Sequence, residues 1–153
     1  MQKNIGALLR IALGWLFFYA GITKVLDAAW SPAGYLSAPK MFPEFYAFLI
    51  SPNILPITAF LSEWGLTLIG AVLILGIFMK PATVLGAAMM FLFYFPILDF
   101  PYPNAHAYIV DEHIIYALSL LLLGALNAGS AWSLQKWASR SFLSRIPVVG
   151  RWV

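Results

Sequence analysis

The chain has 153 residues, 62% of them hydrophobic and 10% charged, with a mean hydropathy of +0.86; that is the length of one domain and far too apolar for a soluble one. Its formal charge of +3 is spread over the chain ends and one short loop, which argues for a membrane and against nucleic acid. The absence of cysteine excludes disulfides, thiolate metal sites and a thiol redox shuttle within the chain.

The first apolar run, residues 5–26, is close to the ~20 residues that cross a hydrocarbon core. Arg10 interrupts its start and no small-residue cleavage site ends it, so an uncleaved span is expected instead of a leader. A long connection rich in proline and aromatics follows. Ser31-Pro32 reads as an N-cap and first helical position, and Phe42, Phe45, Phe48 and Leu49 recur at helical spacing around Pro43. Two short interfacial helices are therefore predicted in this first loop. The second span is predicted at 54–79, with Glu63 its only charge. Lys80-Pro81 is read as a tight turn, residues 82–98 as the third span, and the Pro-rich segment 99–106 as a second loop. A fourth span over 107–127 enters through Asp111-Glu112-His113. Within 131–153, Leu134, Trp137, Ala138 and Ser141 share one face of a basic amphipathic tail helix.

Backbone polar groups in lipid must be satisfied within each segment, so the predicted fold is all-α: one integral membrane four-helix bundle of residues 1–153. Basic residues near span ends stay cytoplasmic. Lys3, Arg10, Lys80, Lys136, Arg140, Arg145 and Arg151 fall at one side, which predicts both termini in the cytoplasm. Asp27, Glu44, Asp99, Asp111 and Glu112 fall at the other, with Glu63 in the membrane half nearer to them. The basic bias explains orientation but not this gathering of acids, and a polar site opening outward is expected there.

At about 100° per residue, Arg10, Gly14, Phe17, Gly21 and Lys24 form one stripe on the first helix. Its glycines admit a close neighbour; Arg10 and Lys24 either face the bundle or snorkel to headgroups. Glu63 lies roughly 13 Å below the start of its span, on a face with Thr67 and Gly70. A carboxylate at that depth marks a site or pathway, or forms a structural ion pair. On the fourth helix Glu112, Tyr116 and Ser119 share a stripe, and His113 reaches Tyr116 at i+3. The acids of that run also suit a helix N-terminus, while His113 is suited to proton exchange near neutral pH. The two histidines have no recognised ligand spacing, so neither a haem nor a metal site is predicted.

Read together, RIALGWLFFYAGITKVLD (10–27), WSPAGY (30–35), FPEFY (42–46), EWGLTLIG (63–70), LG (75–76), VDEHIIY (110–116) and the stretch from Gly129 through Trp132-Ser133-Leu134 resemble the DoxX/DoxD-like membrane proteins. The closest likeness is to the DoxD type, described as the large membrane subunit of thiosulfate:quinone oxidoreductase. Where that pattern has an Asp after Trp-x-Leu, this chain has Gln135.

The resemblance implies a quinone-linked membrane subunit in the cytoplasmic (inner) membrane of a prokaryote, working with a second redox subunit or as a homo-oligomer. Glu63, His113, Glu112 and Asp111 are then the expected catalytic, proton-handling residues. Lys24, Arg10, Tyr19, Trp64 and Tyr116 are expected to hold the quinone, with Trp15 lining its site. A non-catalytic scaffold that docks a redox partner, or a small-molecule or lipid binding or transport protein, fits the same residues.

Overall fold

The computed structural model describes residues 2–126 and 128–135. Helix α1 is Gln2–Leu26, α2 Ala33–Leu36, α3 Pro43–Leu49, α4 Leu55–Leu75, α5 Met79–Ile97 and α6 Glu112–Ala125, followed by a 3-10 turn at Ala128–Ser130. The described residues contain no strand, only two isolated bridges, Asp99 with Tyr102 and Asn104 with Ala107. The predicted tail helix, apart from residues 131–135, lies outside the described residues.

Among the described residues three helices, α1, α4 and α5, are long and apolar enough to cross a membrane. The fourth expected span is shorter than predicted. Helix α6 has 14 residues, roughly 21 Å at 1.5 Å per residue, against a hydrocarbon core of about 30 Å. The all-helical class holds among the described residues, which give three candidate spans and a shorter fourth helix where four spans were expected. Residues 107–111 belong to the loop because Ile109 takes a left-handed φ of 59° and the Tyr94 hydroxyl donates to its carbonyl. Asp111 then starts the helix: its Oδ1 accepts from the backbone N–H of His113 at 3.0 Å and of Ile114 at 3.3 Å.

The turn between the second and third spans also differs. Lys80-Pro81 sits inside the first turn of α5, where proline's missing N–H would have had no helical acceptor. The reversal is made by Gly76, at φ 69°, and Phe78, at φ 49°. The Gly76 N–H closes α4 by donating to Val72 O at 2.9 Å.

Packing is pairwise, α1 along α4 and α5 along α6. The first pair is the closer: a Cβ on Gly21 would lie 2.3 Å from Thr67 N, and one on Gly70 2.2 Å from Phe18 N. This is the small-residue stripe predicted on α1, meeting the Thr67–Gly70 stripe of α4. Leu13, Phe17, Leu66, Leu73, Met90 and Leu120 fill the buried core. Outward faces carry Leu8, Phe60, Leu68, Val84 and Leu118, each more than half exposed, the inverse of a soluble protein and the pattern a lipid surface requires.

The first loop is stitched onto the end of α5. Pro96 has no N–H, so the Leu92 carbonyl loses its helical donor; the Tyr46 hydroxyl of α3 replaces it at 2.9 Å. The Tyr35 hydroxyl of α2 donates to the neighbouring Phe93 carbonyl, and the Lys40 N–H donates to Pro96 O at 2.9 Å. Both short helices come close to prediction. Helix α2 starts one residue later than expected, with Ser31 Oγ accepting from the Ala33 N–H at 3.2 Å.

Candidate ligand-binding site

The C-terminal end of α1, the C-terminal end of α5 and the start of α6 meet at one end of the molecule, and α2 lies beside them. Between them is an open cavity of about 450 Å³. Its polar wall is made by Lys24, Tyr35, Glu112, His113 and Tyr116, and its apolar wall by residues such as Leu16, Phe17, Leu66 and Met90.

Lys24 is half-buried in the last turn of α1. Its Nζ donates to Ala20 O at 2.7 Å and lies 5.5 Å from the centroid of the Trp30 ring, a cation–π distance. Trp30 is set there by a turn in which its N–H donates to Asp27 O at 3.0 Å. The ammonium has no carboxylate within ion-pair distance among the described residues, so its charge is available to the cavity.

Across the cavity, Asp111 is buried and His113 half-buried. His113 Nδ1 stands 2.7 Å from Asp111 Oδ2. That carboxylate also accepts the capping N–H groups, so it is an acceptor here and Nδ1 carries the proton. Nε2 is left as the ring nitrogen free to exchange a proton with a ligand. Glu112 is exposed on the rim and Tyr116 is half-buried one turn further along α6. Burial, reinforced by Asp111, Tyr46 and Glu112, pushes the Tyr35 phenol up to about 12, so it stays a neutral donor to Phe93 O. One cation, an imidazole backed by a carboxylate, and two phenols thus border an otherwise apolar space.

The DoxX family model matches residues 6–99. The chain belongs to the DoxX family. No curated protein and no solved structure matches it. The matched stretch carries Lys24, Trp30 and Tyr35, whereas the α6 wall of this DoxX protein, with Glu112, His113 and Tyr116, follows it in the chain.

Of the residues singled out in the sequence, Lys24, Glu112, His113 and Tyr116 come together in the cavity, and Asp111 stands behind His113. Glu63 does not line it. Its stripe is spent on packing: Thr67 Oγ1 donates to Glu63 O at 2.8 Å, and Gly21 seats against both residues. The Glu63 carboxylate is half-buried, with no ion pair among the described residues.

Arg10 is at the opposite end, fully buried. Its guanidinium donates to Ala128 O at 3.1 Å and Trp132 O at 2.6 Å, tying the chain after α6 to α1. Tyr19 and Trp15 are 60% exposed and lie side by side on the outward face of α1. Trp64 faces Phe60 on α4. None of these four borders the cavity, because each lies on a helix face turned away from it or, for Arg10, at its far end.

Trp30 and Tyr35 are not among the expected site residues, although a lysine in the last turn of a helix followed by Trp30 is a visible cation–π signal. Asp111, Glu112 and His113 also place one ligand atom each within 4.8 Å of one another, a grouping the expectation of no metal site did not include. Both Asp111 oxygens are already engaged by the cap and the His113 ring.

Proposed function

We propose that this DoxX protein is a quinone-binding membrane subunit of an oxidoreductase, with the quinone head seated in the cavity between Lys24 and His113. The observation that carries the reading is the convergence of Lys24 from α1 with Glu112, His113 and Tyr116 from α6 on one open, apolar-walled space. A ring with a carbonyl oxygen at each end matches this arrangement: apolar walls for the faces and donors for the oxygens. Lys24 Nζ is the donor for one oxygen and stabilises the negative charge that grows there on reduction. His113, held by Asp111, takes up a proton at Nε2 from water by way of the exposed Glu112 and passes it to a quinone oxygen, once for each of the two protons the reduction consumes.

Two-electron reduction of a quinone also takes up two protons, and the electrons must come from elsewhere because the chain has no cysteine. The resemblance to the DoxD type supports a reduced sulfur compound such as thiosulfate as donor, handled by a second subunit. The basic residues near the Arg10 end favour a cytoplasmic position for that end, so the cavity opens on the outer side of the cytoplasmic membrane and the donor approaches from there.

Organic extraction of the detergent-purified protein followed by mass spectrometry tests the reading. A quinone is expected in near-stoichiometric amount in the wild type and lost in Lys24→Met. An extract without quinone, from protein that also fails to take up added quinone, would overturn it.

A further inference from the structure

A second cavity, also of about 450 Å³, lies between α4 and α5, two consecutive helices that touch each other less than either touches its own packing partner. It differs in chemistry from the first. Leu61, Leu68, Leu85, Ala88 and Met89 form much of its wall, and Thr58 and Ser62 are its only polar residues. The Thr58 hydroxyl is already given to Leu49 O at 2.9 Å. Beyond the buried Ser62 side chain the groove offers a polar ligand nothing to bind, and its walls sit on helices that face lipid.

Leu36 and Phe93 line both cavities, so these two side chains form the partition between the polar site and the apolar groove. The partition is held from the polar side, since Tyr35 donates to the Phe93 carbonyl and its ring packs edge-on against the Phe93 ring at 6.2 Å. A polar cavity joined through one aromatic and one aliphatic side chain to an apolar trough is the shape of an amphiphile with a compact head and a long hydrocarbon tail.

We infer that the α4–α5 groove holds the hydrocarbon tail of the same molecule whose head occupies the Lys24–His113 cavity, the tail passing over Leu36 and Phe93. The inference rests on the proposed head site and adds that the natural ligand is a long-tailed quinone. In lipid the groove gains no hydrophobic driving force over the bilayer. The tail's role is therefore to fix the entry route and the direction of the head, with a close fit supplying the contact.

Photolabelling of the whole protein in nanodiscs tests this. The probe is a benzoquinone with a long isoprenoid tail that bears a diazirine, and the competitor is the same benzoquinone without a tail, whose own binding is measured first. The expected result is labelling of residues 61–69 and 85–93 that is lost when the tail-less quinone saturates the head site. If the tail-less quinone binds but the label spreads over the outward faces of α1 and α6, or persists in the groove under competition, the tail assignment is overturned while the head site stands. If the tail-less quinone does not bind, the head site and the inference built on it both fail.

Discussion

Placing a methyl group on Gly70 should separate the two helices that carry the predicted glycine stripe. In Gly70→Ala the new Cβ would lie 2.2 Å from Phe18 N, 2.6 Å from Phe18 Cα and 2.7 Å from Gly14 O. All three are backbone atoms, so no rotamer change relieves the contact. Restoring an ordinary van der Waals distance of about 3.4 Å or more requires α1 and α4 to move apart by about 1 Å, enough to forfeit a quarter to a half of the dispersion energy across the gap.

Overpacking of this kind costs about 1–3 kcal/mol, and a clash confined to backbone belongs near the upper figure. Alanine's better helix propensity returns about 1 kcal/mol. The expected net loss is about 2 kcal/mol, or a fall in Tm of roughly 4–8 °C, measured by thermal unfolding in detergent. Gly34→Ala is the matched control, since nothing lies within 4 Å of its new Cβ, and it should leave Tm unchanged or slightly raised. A Gly70→Ala protein as stable as the Gly34→Ala protein would refute the reasoning that backbone contact joins α1 to α4.

Three further outcomes follow from the loop and the cavity wall. Tyr46→Phe leaves the Leu92 carbonyl without a donor and should cost about 1–3 kcal/mol; adding Pro96→Ala supplies an N–H at the right position, so the double variant should lose less than the sum of the two single ones in the same unfolding assay. Burial holds both the Tyr35 and Tyr46 phenols up at about 12, and Tyr35→Phe and Tyr46→Phe should each remove one late-titrating tyrosinate from the ultraviolet absorbance titration. Because the folded state keeps these protons, the stability they contribute is complete below about pH 10, the unfolded value, and is lost as pH rises through about 12. Asp111→Ala removes the cap of α6 at a cost of about 0.5–2 kcal/mol, read as faster hydrogen exchange over residues 112–116, with Asp111→Asn retaining most of the protection.

The sequence carried the helical elements well, because apolar runs of membrane length and local signals such as Ser31-Pro32 and Pro43 are written into consecutive residues. The end of α4 was less legible. Lys80-Pro81 looks like a turn, but Gly76 can take the left-handed conformation and proline is tolerated in a first helical turn, so the reversal falls four residues earlier. Helix α6 was read as too long because the composition of 107–110 suits a helix, and only the Tyr94 bond to Ile109 and the Asp111 cap fix its true start.

Spacing along one helix was enough to gather Glu112, His113 and Tyr116, and the α1 stripe pointed to Lys24, which lines the same cavity. Spacing alone does not say which neighbour covers a stripe. Glu63 shares its face with Thr67 and Gly70, and that face meets α1 instead of the cavity. Arg10 was grouped with the site because it shares the Lys24 stripe, yet its partners, Ala128 O and Trp132 O, lie 118 and 122 residues away in the chain. Tyr35 likewise owes its place to the Phe93 carbonyl, 58 residues distant. Such contacts leave no periodic trace.

The most direct test of the central claim is equilibrium binding of a tail-less benzoquinone to the purified protein, compared among wild type, Lys24→Met and Glu63→Gln. A charge-assisted hydrogen bond is worth about 1.5–3 kcal/mol, so Lys24→Met should weaken binding by roughly tenfold or more, whereas Glu63→Gln, outside the cavity wall, should bind as the wild type does. Wild-type affinity in Lys24→Met, or binding abolished by Glu63→Gln alone, would contradict a head site between Lys24 and His113.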